Sequence, residues 1–212
     1  MNGITFGTTH TFNDLGLILG KKEIGSPAVK ENKVDIPGAD GSLDMTEYHG
    51  EPKYENVKHK FEFSAAVPHD ESLALFSRVK NALHGKKHRI ILDDDPAFYY
   101  VGRCHVSSYT DEKGIGKLNI ECDCEPYKYK LNKTTVTRAV DGTQAITLTN
   151  GRKHAVPTIT TTATMTIIFG SGSWTTSAGT FSIPELELVE GANTVEVTGT
   201  GNITFTWQEG EL

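Results

Sequence analysis

Apolar and polar positions alternate through "NVKHKFEFSAAV", with Val57, His59, Phe61, Phe63, Ala65 and Val67 on one side and Lys58, Lys60, Glu62 and Ser64 on the other. That period of two predicts a half-buried β-strand. Pro68 ends it, and "DESLALFSRVKNALHG" follows with helical spacing. Asp70 suits the N-cap, Glu71 the first turn and Gly85 the C′ stop. Leu73, Phe76, Val79 or Lys80, and Leu83 would form the apolar stripe. Two further strands are expected in "FYYVGRCHVSSY" and "GKLNIECDCEPY", joined by the turn-like "TDEKG". In the second, Leu118, Ile120, Cys122 and Cys124 face one way while Lys117, Asn119, Glu121 and Asp123 face the other.

Beyond "CEPYKYKLNK" the character of the chain changes. All 7 tyrosines lie at or before Tyr129, and of the 21 lysines and arginines only Arg138, Arg152 and Lys153 lie beyond Lys133. Short Thr-, Val- and Ile-rich runs take over, separated by "DGTQ", "TNGRK", "GSGS", "SAGT", "EGAN" and "GTGN". In "TVEVTGTGNITFTWQ", Val195, Val197, Ile203, Phe205 and Trp207 share one face. Such spacing predicts a two-sheet β-sandwich without a helix. The chain therefore reads as two folding units, 1–131 and 132–212, with "LNKTT" as the joint. The fold class is mainly β with one helix.

Charge and composition narrow the function. With 27 acidic against 21 basic residues the chain is mildly acidic, which argues against binding nucleic acid through phosphate neutralisation. No apolar run approaches the roughly 18 residues that span a bilayer, so membrane insertion is not expected. The start "MNGITFGTTHTFNDLG" lacks the basic and apolar regions of a signal peptide. Three cysteines without an export signal read as reduced thiols of a protein made in a cytoplasm.

Candidate chemistry is sparse. Cys122 and Cys124, one residue apart on a strand, place both thiols on one apolar face and lack the spacing of a zinc knuckle. Buried reduced cysteines are the expected reading of these two and Cys104. "DDDP", Asp93 to Asp95, lacks an EF-hand pattern and reads as a solvated turn after "IIL". His59 sits in an apolar register, as a hydrogen-bonded histidine does. No GxSxG, HExxH, P-loop or dinucleotide fingerprint occurs, so neither an enzyme nor a cofactor is expected. Trp174, in "GSGSWTTS", offers the alternative of a sugar-stacking face on a carbohydrate-binding sandwich, whereas Trp207 shares the register of core residues.

The stretch "DIPGADGSLDMTEYHG", Asp35 to Gly50, has turn chemistry between strand-like flanks and little that looks like core. Pro37 presets φ, and Gly38 or Gly41 supplies a positive φ. Val34 and Ile36 before the turn, and Leu43 and Met45 after it, alternate like paired strands. Strands of about six to eight residues would make an arm of roughly 20–25 Å. Such an arm is barely stable alone and exposes open edges. Pairing with neighbouring copies around a closed ring removes both problems.

With these residues in view, the N-terminal region resembles the distal tail protein family of long-tailed bacteriophages and prophages. The resemblance lies in the order of features: "ITFGTTHTFNDLGLILG", then "IGSPAVKENKVDIPGADGSLDMTEY", the strand "KFEF", the helix "LALFSRVKNAL" and the exit "IECDCEPYKYK". "IPGADGSLDMTEY" and "EPYKY" carry most of it. The resemblance implies a virion structural protein of the tail tip or baseplate. It implies a hexameric ring of N-terminal domains whose β-arms clasp their neighbours, with galectin-like β-sandwiches outside. The ring would join the tail tube protein to the tail-tip hub protein and can support a receptor-binding protein. The arm residues implied at the oligomer interface are Val34, Ile36, Pro37, Gly38, Asp40, Gly41, Leu43, Met45 and Tyr48. The C-terminal sandwich is short for the family.

Overall fold

The computed structural model describes residues 2–48, 50–112 and 115–212. The chain divides into two compact units, Met1–Pro126 and Tyr127–Leu212. The exit segment "YKYK" begins the second unit, because Lys128–Lys130 pairs with Gly210–Glu211 near the other end of that unit.

In the first unit one antiparallel sheet runs in the order Thr9–His10, Ile4–Phe6, Lys87–Leu92, Phe98–Glu112, Ile115–Cys124, Val57–Ala66 and Ile18–Ile24. The alternation read from the sequence governs its two faces. Val57, His59, Phe61, Phe63 and Ala65 are all buried, and so are Leu118, Ile120, Cys122 and Cys124. Strands Phe98–Glu112 and Ile115–Cys124 pair down to Glu112↔Ile115. Of the expected turn "TDEKG", Lys113 and Gly114 lie outside the described residues.

The helix spans His69–Leu83, with Pro68 at the N-cap position and no side-chain cap. Asp70 is thus not the cap. The helix starts one residue earlier, and Asp70 joins Glu71 in the first turn, where a carboxylate still favours the helix dipole. Gly85 ends the helix as expected, at φ +76, donating its N–H to the Cys104 carbonyl at 2.8 Å. The apolar stripe needs correction. Leu73 is 68% exposed, while Ser72, Leu75, Val79 and Leu83 are buried. At about 100° per residue, Leu73 and Leu75 point to nearly opposite sides. The buried set Ser72, Leu75, Val79 and Leu83 keeps three- and four-residue spacing, and packing on the sheet selects that face over the one carrying Leu73.

The second unit is built on two 17-residue strands, Thr134–Asn150 and Gly191–Trp207, paired along their whole length. Gly191–Trp207 changes its other partner midway. Residues Glu196–Gly199 pair with Met165–Ile168, and Ile203–Thr206 with Thr158–Thr161. Gly199 and Gly201 sit at the change with φ +155 and +146, and a Cβ there would meet Met165 and Thr162 at 2.9 and 2.7 Å. The two halves of the sandwich share these long strands rather than forming separate sheets. Val195, Val197, Ile203, Phe205 and Trp207 all enter one core with Ile159, Met165 and Ile167. On the outer face the abundant threonines pair across strands, for example Thr137 with Thr204 at 3.0 Å.

Candidate assembly surface

Between Ile18 and Asn56 no described residue is buried. After the strand Ile18–Ile24 the chain leaves the sheet as an arm, and none of the arm's described residues belongs to the core of the first unit. Its tip is a separate two-stranded ribbon in which Lys33–Asp35 pairs with Ser42–Asp44.

Turn chemistry builds the tip. The Ala39 N–H donates to the Ile36 carbonyl at 3.1 Å, closing a turn with Pro37 second and Gly38 third. Gly38 has φ +86, the left-handed third position that a type II turn demands. Gly41, at φ +74, returns the chain to the ladder, with the exposed Asp40 beside it.

The ladder is shorter than the sequence suggests. Its strands hold 3 residues each, so the paired length is about 10 Å and not 20–25 Å. Past Asp44 the Asn32 carbonyl still accepts from the Met45 N–H at 2.7 Å. But the Asn32 N–H donates to the Thr46 hydroxyl at 3.0 Å and the Thr46 N–H to Asp44 Oδ1 at 2.9 Å, so side chains take over from the ladder there. Further turns follow from Tyr48 N–H to the Met45 carbonyl and from Gly50 N–H to the Glu47 carbonyl. The arm closes again at its root, where Val29 bridges Tyr54 and Lys30 N–H donates to the Lys53 carbonyl at 2.8 Å.

Register gives the ribbon two unlike faces. Val34 stands directly opposite Leu43, and Ile36 and Met45 follow in the same phase. The other face carries Asp35 opposite Ser42 and Lys33 opposite Asp44. Glu31 hydrogen-bonds Lys33 and holds its ammonium above the ordinary lysine value, while Thr46 lowers the Asp44 carboxyl. Val34, Ile36 and Leu43 are 47%, 49% and 50% exposed, so the described residues leave about half of the apolar face open. Tyr48, 70% exposed, lies in the turn beyond the ladder and does not join that row.

Two root residues carry weight that sequence reasoning missed. Gly25 donates its N–H to Nδ1 of His59 at 3.2 Å. A Cβ on Gly25 would meet the Lys58 carbonyl oxygen at 2.7 Å, so only glycine fits where the arm leaves the sheet. His59 is buried, and desolvation pushes its imidazole below the ordinary histidine range. A lone glycine before a proline-marked segment gives no periodic signal, which is why the tie was invisible in the sequence.

Elsewhere, Trp174 is half-buried, stands opposite Ile167 and packs against the sandwich core. Its indole lies over Gly172, where a Cβ would meet the ring at 2.0 Å. The three cysteines are buried and free. The carboxylates of "DDDP" reach distant segments, Asp93 toward His10 at 3.2 Å and Asp94 toward Lys22.

No family model and no curated protein matches the chain. Among solved structures, it is similar to the SPP1 Dit protein (gp 19.1), described as a paradigm of the hub adsorption apparatus in phages infecting Gram-positive bacteria. The two superpose with a TM-score of 0.74 at 16% identity, covering 100% of each chain. The chain therefore shares the Dit fold from end to end.

Proposed function

We propose that the chain is a structural protein of a phage tail tip, a member of the distal tail family without chemistry of its own. Copies associate through the arm into a closed ring, hexameric by the family resemblance. The ring lies in the virion between the tail tube and the tail-tip hub and supports the host-recognition apparatus. Likeness in fold over the whole of both chains supports this reading.

One observation carries it: the arm presents Val34, Ile36 and Leu43 with about half of each left open by the described residues. A two-stranded ribbon gains little stability by itself. Its exposed apolar row has a physical rationale once a second copy covers it. Closed symmetry lets every arm find the same acceptor surface and leaves no arm unpaired.

Light scattering behind a sizing column, followed by negative-stain imaging, tests the proposal. The wild type is expected as rings with a central hole at a multiple of the 23.2 kDa chain mass. Ile36→Asp with Leu43→Asp is expected to give folded monomers with unchanged circular dichroism. A wild type that stays monomeric at high concentration, or a ring that survives the double substitution, counts against the role of the arm.

A further inference from the structure

We propose that Cys104 and Cys122 are a latent cross-strand disulfide pair that closes by exchange with a small-molecule disulfide, leaving Cys124 as the free thiol.

The geometry comes from the sheet. Cys104 and Cys122 are directly opposed in the register of Phe98–Glu112 with Ile115–Cys124. Cys104 donates its N–H to the Lys86 carbonyl at 3.0 Å and accepts at its own carbonyl from the Gly85 N–H at 2.8 Å. Both main-chain groups of Cys104 therefore point away from Cys122. In an antiparallel ladder this makes them a non-hydrogen-bonded pair, the closer kind, with Cα atoms about 4.5 Å apart. That separation falls inside the range of roughly 4.4–6.8 Å that a disulfide spans. The side chains already meet, with the two sulfurs 3.1 Å apart.

Cys124 stands apart from this pairing. Its directly opposed residue is Gly102, and its sulfur occupies the space that a Cβ on Gly102 would need, at 2.4 Å. It shares a strand face with Cys122, but their Cβ directions run parallel rather than converging.

The exchange is balanced. One cysteine thiolate, its proton released to solvent, attacks a sulfur of the oxidant and expels one thiolate, which takes up a proton. The second cysteine then displaces the other half of the oxidant from the mixed disulfide. Two protein thiols become one S–S bond, and one oxidant disulfide becomes two thiols. Both cysteines are 0% exposed, so the native sheet shields them. The hydrogen bond with Cys104 and then burial hold the Cys122 thiol well above its ordinary range, which keeps the thiolate scarce. Reaction is therefore fastest while the sheet is opening or forming.

The test uses the full chain in two arms, refolded from urea in glutathione disulfide and held native in the same buffer. Samples are quenched with acid, alkylated after denaturation and weighed. The refolded chain should lose two of its three alkylatable thiols, as a monomeric cross-link between Cys104 and Cys122. Cys124→Ser should lose both of its remaining thiols, and Cys104→Ser should keep both of its own. The oxidised wild type should melt several degrees higher than the reduced form, with no such shift in Cys104→Ser. The native arm should react far more slowly than the refolding one. Three alkylatable thiols in a refolded chain with native circular dichroism overturn the proposal, as does a native arm that reacts as fast as the refolding one. So does a cross-link that includes Cys124.

Discussion

Gly25 and His59 tie the root of the arm to the strand beside the edge of the first sheet, the glycine N–H meeting the imidazole Nδ1 at 3.2 Å. The ring also meets Tyr100 edge-on, with centroids 4.5 Å apart. Both contacts suit a neutral imidazole. Burial depresses the folded-state value of His59 below the 6.5 of a free histidine, so between those values the unfolded chain binds a proton that the folded chain refuses. Stability then rises with pH in that window and is flat above it. Loss on acidification should reach at most about 1.4 kcal/mol per pH unit from this group. His88 is depressed in the same direction by burial and by Lys86, and contributes its own slope. Urea melts of the wild type and of His59→Asn, which keeps an acceptor near Nδ1, check this. The variant should show a flatter dependence below pH 6.5, and an unchanged slope would remove His59 from the account.

Gly41 separates the arm from the cores. Its φ of +74 favours glycine, yet a Cβ there would meet nothing within 4 Å. Gly41→Ala should therefore strain the tip by about 1 kcal/mol without any clash. No core residue lies within the arm, so the melting of both units should stay within about 0.5 kcal/mol of wild type. Association should weaken, read as a higher dissociation midpoint on dilution in light scattering.

Glu209 is a buried carboxylate at the end of the second unit, its side chain only 9% exposed. It accepts from Lys130 at 2.8 Å and from the Thr134 hydroxyl. Both donors lie near the start of the same unit, so one side chain fastens its two ends. Glu209→Ala should cost about 1.5–3 kcal/mol, the range for hydrogen bonds to a charged group, since Lys130 can still reach water. Glu209→Gln should recover part of the loss by keeping an acceptor. Thermal melts of the two variants check the order.

Legibility in the sequence followed periodicity. Val57 to Ala65, Leu118 to Cys124 and Val195 to Trp207 each repeat every second residue, and each lies inward as that pattern requires. The Pro37–Gly38 turn was legible because its residue types dictate its dihedrals. Leu73 misled because two leucines two positions apart both satisfy a loose helical template, and only packing against the sheet decides between them. The arm looked longer than its ladder because hydrophobic alternation continues through Met45, whereas side-chain bonds of Thr46 with Asn32 and Asp44 replace the main-chain pairing there. The tie between Gly25 and His59 joins residues 34 positions apart through a main-chain donor, which no pattern along the chain encodes.

The two cores share no residue, one gathering around Phe6, Phe61 and Ile120 and the other around Ile159, Ile167 and Phe205. Phe205 is 0% exposed and central in the second. Phe205→Ala should remove about 3–5 kcal/mol from that unit by opening a cavity beside Ile159, its opposed neighbour. A unit of this size loses roughly 4–8 °C of midpoint per kcal/mol. The second unit should then melt well before the first, splitting calorimetric unfolding into two transitions. Among the described residues the one helix lies in the first unit, so the far-ultraviolet signal at 222 nm should survive the early transition and vanish with the late one. A single transition that moves down as a whole would mean that the two units unfold as one cooperative body despite their separate cores.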